Sequence, residues 1–371
     1  MYGHGYTFAG LPLAIPEEAE ELAAFANGQG FAFASTSYRT NGLAIQEASE
    51  DVATLAAYVR ARASELFGSG GFVPVLVAGA SEGGAAVTLA AERRPDVFQG
   101  ALSTCGPTGD FAAQLRYFGG FNVLFNYFFP QVFRDPLDPD RFKVTPAGVD
   151  ADVLGAWESY QARAVAALQG DPARTAELLK VAGVAVDPGD PTSGVASALG
   201  ILWYNAFATN DAIEKLGGQP FRNVWTWYRG SSNDFRLNRR VERYAGDAAA
   251  RWRVDRDYQT SGELDIPYVS LHTTADPIVR FWQQPRYRLK ALVQGSSYEH
   301  SAVPVLRYGH CAFEEGDLTL GLALLLWKVG KASPAALSTA LPTAAARSTF
   351  RDYVESQGTR LDDAREAGER R

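Results

Sequence analysis

The sequence predicts an α/β fold in which helices flank a mostly parallel sheet and a large helical cap is inserted. Two observations predict it. Short apolar segments with the length of buried strands recur along the chain, and helical patterns separate the early ones. Strands that alternate with helices form parallel sheets covered on both faces. The alternation then stops for a long aromatic stretch with helical patterning, which is long enough to form a lobe of its own.

Five apolar segments are the expected strands of this sheet. They are Gly30–Ser37, Phe72–Ala78, Phe98–Thr104, Ile266–His272 and Ser301–Leu306. Between the first two, residues 45–67 carry apolar side chains at helical spacing, among them Val52 and Val59. Residues 318–329 have the pattern of a buried helix that follows the last strand.

The expected domain organisation follows from these segments. Residues 1–105 and 262–332 form the α/β core, and residues 106–261 form a helical cap over the carboxyl edge of the sheet. Residues 333–371 form a C-terminal extension that is expected to be partly disordered, because the sequence turns polar and loses aromatic residues there.

Composition excludes several classes of function. The chain has 371 residues, of which 46% are hydrophobic and 21% charged, as in ordinary globular proteins. Its net charge of −7 argues against a nucleic-acid partner. The most apolar stretch, residues 115–133, is interrupted by Arg116 and Pro130, so we expect no transmembrane segment. No zinc-type spacing, dinucleotide fingerprint or phosphate loop occurs, and we expect neither a metal nor a cofactor.

A glycine-rich turn lies between a predicted strand and a predicted helix. It reads Gly79-Ala-Ser81-Glu-Gly83-Gly, and a Gly-x-Ser-x-Gly turn in this context is typical of a nucleophile elbow. The tight turn leaves almost no room for side chains two residues before and two after the serine, and Gly79 and Gly83 meet that need. Ser81 is therefore the expected nucleophile.

A serine nucleophile needs a base, and the chain has four histidines. His4 lies far upstream, His272 lies inside a predicted strand, and His300 precedes one. His310 follows the last predicted strand, in a loop at the carboxyl edge of the sheet. His310 is therefore the expected base.

The acid that orients the base should follow an earlier strand at the same edge. Asp276 does so in an Asp-Pro turn, directly after the strand that ends near His272. Asp110, which follows the strand 98–104, is the alternative acid. Asp265 begins a strand and therefore faces the opposite edge of the sheet.

The order Ser81, Asp276, His310 is the chain order of α/β-hydrolases, and the core of this chain resembles that superfamily. The sequence motifs around Asp276 and His310 look most like those of capped, secreted-type esterases and lipases. The resemblance implies an acyl-serine mechanism without a cofactor. It also implies an oxyanion hole made by the backbone N–H groups of Glu82, which follows the nucleophile, and of Tyr6 in a His-Gly-Tyr loop.

The N-terminus departs from this family pattern. The oxyanion loop normally follows a strand inside the sheet, but only Met1 to Gly3 precede His4, so the N-terminal strands are expected to be missing. Either the chain begins downstream of its natural start, or the sheet is rearranged so that residues 30–37 and 72–78 pair directly. No signal-peptide pattern is present, and a start downstream of the natural one would be compatible with a secreted or periplasmic protein.

The two cysteines are both expected at the carboxyl edge. Cys105 ends a predicted strand and Cys311 follows the expected catalytic histidine. Two outcomes are open: a disulfide that fixes the His310 loop, which would point to export, or two buried thiols.

The leading hypothesis is a serine hydrolase acting on small or polymeric esters with hydrophobic or aromatic groups. A peptidase, an amidase or an acyltransferase is the first alternative, since all form an acyl-enzyme. An inactive α/β-hydrolase-like binding protein is the second. Aromatic residues of the cap supply either its own core or an apolar pocket; they lie in the segments 115–129, 201–204 and 225–228.

Overall fold

The computed structural model describes residues 1–68 and 73–369, and the side chains up to residue 356. The expected strand at 72–78 begins at Phe72, which lies outside the described residues. Among the described residues no helix is long and apolar enough to cross a membrane.

A parallel sheet organises the fold. The described residues form seven strands: Tyr2–Gly3 (β1), Leu76–Ala80 (β2), Gly100–Thr104 (β3), Val144–Thr145 (β4), Gly148–Val149 (β5), Tyr268–Ala275 (β6) and His300–Tyr308 (β7). The main sheet has the order β1-β2-β3-β6-β7, and every neighbouring pair in it is parallel. The predicted fold class is thus confirmed. The carboxyl ends of β2, β6 and β7 consequently lie at one edge of the sheet.

Helices surround the sheet and fill the long insertion. They are Glu18–Gly28 (α1), Ile45–Ala61 (α2), Ala63–Phe67 (α3), Glu82–Arg93 (α4), Phe111–Phe128 (α5), Pro130–Phe133 (α6), Ala151–Gly155 (α7), Trp157–Gly170 (α8), Pro172–Ala182 (α9), Ser193–Phe207 (α10), Thr209–Leu216 (α11), Asp234–Arg240 (α12), Ala248–Arg253 (α13), Gln283–Gln294 (α14), Glu315–Lys328 (α15), Pro334–Ala340 (α16) and Ala344–Glu369 (α17). A π-helical turn, Val254–Tyr258, follows α13.

The two faces of the sheet pack against different helices because successive strand residues point to opposite sides. On one face, Ala101 and Tyr268 pack with apolar residues of α2 and α4. On the other face, Leu102 and Val269 pack with apolar residues of α15 and α17. The strands are therefore buried on both sides, as their uninterrupted apolar composition predicts.

Residues 30–37 do not form the strand that the sequence predicts. Within this segment only Ser35 makes a β-bridge, to Tyr2, and Gly30 has a φ of +83° in the turn that ends α1. β1 lies between Ser35 and β2, so residues 30–37 do not pair with β2. Of the two alternatives for the N-terminus, direct pairing of these segments is therefore wrong. The short β1 segment thus joins the edge of the sheet immediately before His4.

The C-terminal extension packs onto the core. Ala346 and Phe350 of α17 are buried against α15 and the sheet. The backbone is helical through Glu369. The expected partial disorder of residues 333–371 stays a prediction. Residues 370–371 lie outside the described residues.

The inserted region, residues 106–261, contains α5 to α13 and the β4–β5 hairpin, and it lies between β3 and β6 in the chain. Its own hydrophobic cluster includes Phe121, Phe125, Phe129 and Phe133. Phe125 contacts both Phe129 and Phe133, with ring centroids 5.6 and 5.5 Å apart. Most aromatic residues of α5 therefore form the core of the insertion.

Candidate active site

Ser81 lies in a tight turn between β2 and α4. Its φ of +55° places a non-glycine residue in a conformation that is usually avoided, as a nucleophile elbow requires. Its N–H donates to the carbonyl of Thr104, at 2.9 Å. Side chains at Gly79 or Gly83 would overlap neighbouring backbone atoms, so the two glycines are needed for the turn to form.

The structure brings Ser81, Asp276 and His310 together. His310 Nε2 lies 2.9 Å from Ser81 Oγ, and His310 Nδ1 lies 2.7 Å from Asp276 Oδ2. The serine follows β2, the aspartate follows β6 and the histidine follows β7, so the parallel sheet itself collects the three side chains at one edge. These distances permit proton transfer from the hydroxyl to the imidazole and orientation of the ring by the carboxylate.

Backbone and side-chain donors hold Asp276 in place. The side chain is fully buried, and its Oδ1 accepts hydrogen bonds from the N–H groups of Ile278 and Val279, at 2.8 and 2.9 Å. Oδ2 is thereby left for His310. His272 Nε2 lies 2.7 Å from the carbonyl of Val279 and 3.8 Å from Asp276 Oδ2.

His272 is a neighbour of this site that its position inside a strand did not reveal. Burial lowers its pKa, so the ring is neutral around neutral pH and donates to the Val279 carbonyl. It thereby helps to hold the turn that carries Asp276. The hydrogen bond joins residues on a strand and on the loop after it, and no pattern in the sequence signals it.

The remaining candidates have structural roles. Asp110 caps the N-terminus of α5 and forms an ion pair with Arg286 at 2.8 Å. His300 is buried at the start of β7, with Nε2 2.8 Å from Ser270 Oγ. His4 stacks on the ring of Tyr38 at 3.9 Å. The structure therefore leaves Asp276 as the acid next to His310.

The expected oxyanion residues lie beside Ser81. A Cβ atom on Gly5 would be 3.5 Å from Ser81 Cβ, so the peptide that links Gly5 to Tyr6 adjoins the serine. Glu82 is the first residue of α4, and N–H groups in a first helical turn have no partner within the helix. The hydroxyl of Tyr38 donates to the His4 carbonyl, at 3.0 Å, and this bond fixes the loop. The two donors remain a prediction that this placement supports.

The side chain of Glu82 is buried beneath the site. Its Oε1 accepts from the N–H of Ala44, at 3.0 Å. Burial raises the pKa of this carboxyl to about 8. The preceding residue, Leu43, donates its N–H to Asp211 of α11 at 2.6 Å. One short loop thus connects the elbow to the inserted region.

A disulfide lies directly beside the histidine. Cys105, at the end of β3, is bonded to Cys311, and the Cys311 sulfur lies 3.6 Å from His310 Nε2. Both cysteines have left-handed φ angles, +48° and +52°. In the part of the chain that the structure describes, the donors Cys105, Cys311 and His310 form the one cluster suited to a metal ion. The disulfide uses both sulfur atoms, so they offer no thiolate ligand there.

Half-buried aromatic rings from the inserted region extend from the loop that carries Gly5 and Tyr6. The hydroxyl of Tyr6 donates to the Phe207 carbonyl, at 3.1 Å. The Tyr6 ring lies edge-on to Trp203 and Tyr204, at 5.9 and 5.6 Å. Tyr204 in turn stacks on Phe118, at 5.2 Å.

Two tyrosines place this aromatic cluster close to Asp276. Burial raises the pKa of Tyr204 to about 12, and the nearby carboxylates of Glu82 and Asp276 act in the same direction. The hydroxyl of Tyr117 donates to the Pro277 carbonyl, directly after Asp276, at 2.6 Å. The surroundings of the site are therefore apolar and aromatic.

No protein-family model and no curated protein matches this sequence. Solved structures do match. Monoacylglycerol lipase from Paleococcus ferrophilus is 15% identical with a TM-score of 0.37, over 89% of this chain and 93% of its own. Feruloyl esterase B from Aspergillus oryzae is 15% identical with a TM-score of 0.45, over 90% and 76%. An esterase from Aspergillus oryzae is 13% identical with a TM-score of 0.43, over 89% and 74%. Similarities at this level say nothing of activity.

Proposed function

We propose that this chain, which has the α/β-hydrolase fold, is a serine hydrolase that cleaves carboxylic esters through an acyl-serine intermediate. The observation that carries the proposal is the hydrogen-bonded relay from Ser81 through His310 to Asp276. The left-handed backbone at Ser81 supports it further, because this strained conformation presents the hydroxyl at the end of β2.

In the first half-reaction, the Ser81 oxygen attacks the ester carbonyl while His310 Nε2 takes the hydroxyl proton. Asp276 holds the ring through Nδ1 and stabilises the imidazolium that forms. The carbonyl oxygen becomes an oxyanion, for which the N–H groups of Glu82 and Tyr6 are the proposed donors. The tetrahedral intermediate then collapses. The bond to the leaving alcohol breaks, and His310 gives the proton to the alcohol oxygen.

The second half-reaction releases the acid. A water molecule attacks the acyl carbon while His310 takes one of its protons. The bond to the Ser81 oxygen breaks, and His310 returns the proton to that oxygen. The carboxylic acid leaves, and the relay is restored without a cofactor.

The aromatic surroundings favour a hydrophobic or aromatic ester. Tyr6, Tyr204 and Phe118 form a continuous set of ring contacts that begins beside the oxyanion loop. Such a wall binds apolar acyl or alcohol groups well, and it offers nothing to pair with a charged group. We therefore place the apolar part of the substrate against these rings.

We also propose that residues 106–261 act as the cap of this site. Two hydrogen bonds join the site to the inserted region. Tyr6 donates its hydroxyl to the carbonyl of Phe207, and Tyr117 donates its hydroxyl to the carbonyl of Pro277, in the turn after Asp276. Tyr308, at the end of β7, bonds Ser197 of α10 at 2.8 Å. These contacts connect the inserted region to three segments near the carboxyl edge of the sheet.

Hydrolysis of matched p-nitrophenyl esters and p-nitroanilides tests the proposal. We expect ester hydrolysis, with kcat reduced about 10⁴-fold or more in Ser81→Ala and His310→Ala. A chain that cleaves the anilide as fast as the ester would instead be an amidase or peptidase. Absence of both activities would favour the inactive binding protein.

A matched pair of variants tests which aspartate is the acid. Asp276→Asn should lower kcat by several orders of magnitude, because the amide cannot stabilise the imidazolium. Asp110→Asn should retain activity, because asparagine can still cap α5. Loss of activity in the second variant alone would reverse the assignment.

A further inference from the structure

An exposed aromatic patch lies on the inserted region. The exposed fractions of Trp225 and Phe235 are 84% and 80%, and that of Trp227 is 48%. The rings of Trp227 and Phe235 contact each other edge-on, at 5.6 Å. A group of large aromatic side chains exposed together on a protein surface commonly marks an interaction site.

The patch is surrounded by arginines without carboxylate partners. Elsewhere in the described part of the chain, some exposed arginines, such as Arg39 and Arg141, form ion pairs, and others, such as Arg163 and Arg288, are single and form none. Around the patch, five exposed arginines form no ion pair among the described residues: Arg222, Arg229, Arg236, Arg239 and Arg240. Residues 222–243 hold six arginines and two acidic residues, although the whole chain has a net charge of −7. Positive charge is therefore concentrated at this surface.

The patch is held in a defined shape. Its three rings, together with Arg236, Arg239 and Arg240, border an open groove of about 870 Å³. The Arg243 guanidinium donates to the carbonyls of Asn223 and Thr226, at 2.8 and 2.7 Å, and so fixes the loop that carries Trp225. Asn233 caps α12, which carries three of the unpaired arginines. We call the three exposed rings and the five unpaired arginines the Trp–Arg face.

We propose that the Trp–Arg face binds the surface of an anionic phospholipid bilayer. Its arginines would contact headgroup phosphates, and its tryptophans would lie at the level of the headgroups, where amphipathic rings are stable. The binding does not depend on the hydrolase activity proposed above. It would hold the inserted region, and the site next to it, at a lipid surface.

The chemistry favours lipid over another polyanion. A duplex nucleic acid or a sulfated polysaccharide would use the arginines, but it offers no apolar layer for the three exposed rings. A bilayer pairs its phosphates with the arginines and also removes the three exposed rings from water.

Co-sedimentation with vesicles tests this proposal. One set of vesicles contains phosphatidylcholine alone, and the other contains phosphatidylcholine and phosphatidylglycerol in equal amounts. We expect the wild-type chain to sediment with the second set only, and added salt to weaken this binding. Ser81→Ala should bind as the wild type does, so this result is separate from catalysis.

The arginines and the aromatic rings of the Trp–Arg face are tested by separate variants, the arginines first. Arg236→Gln/Arg239→Gln/Arg240→Gln should lower the partition coefficient about a hundredfold. The control Arg62→Gln/Arg94→Gln/Arg174→Gln removes equal charge at exposed, ion-paired positions and should leave binding within about twofold.

The aromatic rings of the Trp–Arg face are tested by a second variant with its own control. Trp225→Ala/Phe235→Ala should weaken binding at least about tenfold, whereas Leu137→Ala/Leu306→Ala removes exposed apolar side chains elsewhere and should not. Unchanged thermal midpoints confirm that each variant folds.

Three results would overturn the proposal. The first is wild-type chain that stays in the supernatant with anionic vesicles. The second is an equal loss of binding in the Arg236/Arg239/Arg240 variant and its charge control. The third is retention on heparin or DNA, lost in the same arginine variant, without any binding to vesicles.

Discussion

Gly83, in the first turn of α4, lies so close to the backbone of Gly3 that a Cβ at position 83 would overlap the Gly3 carbonyl. This approach brings the N-terminal segment against the nucleophile elbow. It explains how a two-residue strand can place the Gly5–Tyr6 peptide beside Ser81.

Gly83→Ala should therefore destabilise the chain by about 3 kcal/mol or more, because neither backbone segment can move without breaking sheet or helix bonds. Urea unfolding measures the change. Gly170→Ala is the matched control, since Gly170 also lies in a helix but has no atom within 4 Å of the added methyl group. It should be neutral or stabilising by up to about 1 kcal/mol. Similar losses in both variants would contradict the close approach.

Reduction of the Cys105–Cys311 disulfide should lower ester turnover by about ten- to a hundredfold. Cys311 adjoins His310 in the chain and has a left-handed φ, so the freed loop can shift the imidazole from Ser81. Turnover of a soluble ester before and after treatment with a dithiol measures the effect.

The double variant Cys105→Ser/Cys311→Ser is the control for this reduction. It should match the reduced wild type in turnover, and the dithiol should not change it. The free energy of unfolding should also fall, by up to about 5 kcal/mol, because the disulfide closes a loop of 206 residues. A variant with full turnover would show that the bond does not position His310.

Glu82 should make the fold less stable as pH rises. Its carboxyl has a pKa of about 8 when folded, against an ordinary value of 4.5, so the folded state binds the proton more tightly. Its ionisation therefore costs stability progressively between about pH 4.5 and 8, with a slope of up to about 1.4 kcal/mol per pH unit. Glu82→Gln keeps the acceptor for the Ala44 N–H and should remove this part of the slope. Urea unfolding across this pH range measures it, and an unchanged slope would refute it.

His300 should have the opposite effect at acidic pH. Burial lowers its pKa to about 3 from 6.5, so the unfolded state binds the proton more tightly between these values. Its contribution to stability is fully present above about pH 6.5 and is lost as pH falls towards 3. His300→Phe keeps a ring against Tyr268 and Tyr287 and cannot take up a proton. The variant should lose less stability than the wild type between pH 6 and 4. An equal loss in both would assign the acid sensitivity to other groups.

The sequence was sufficient to predict the site residues that follow the carboxyl ends of strands. Ser81, Asp276 and His310 each lie within two residues of the end of a strand of a parallel sheet, and such strands bring their carboxyl ends to one edge. The strand at residues 30–37 was mispredicted because apolar composition does not reveal that Gly30 is used by the turn ending α1, nor that β1 takes the place next to β2.

Other features depend on contacts between distant residues. The bond from the Leu43 N–H to Asp211 joins segments that no local pattern relates. The His272 ring is placed by the fold of the loop after β6, and the exposure of Trp225 depends on packing within the insertion. Periodicity and spacing carry no information about such contacts, since they describe only neighbours along the chain.

Labelling of the folded chain by a fluorophosphonate, read by mass spectrometry of the peptide that carries the label, tests the central claim most directly. A serine activated by an oriented histidine reacts at its hydroxyl, whereas an ordinary serine does not. We predict one label per chain, on Ser81, lost on denaturation and in His310→Ala. A folded wild-type chain that takes up no label, or takes it up at another residue, would contradict the account.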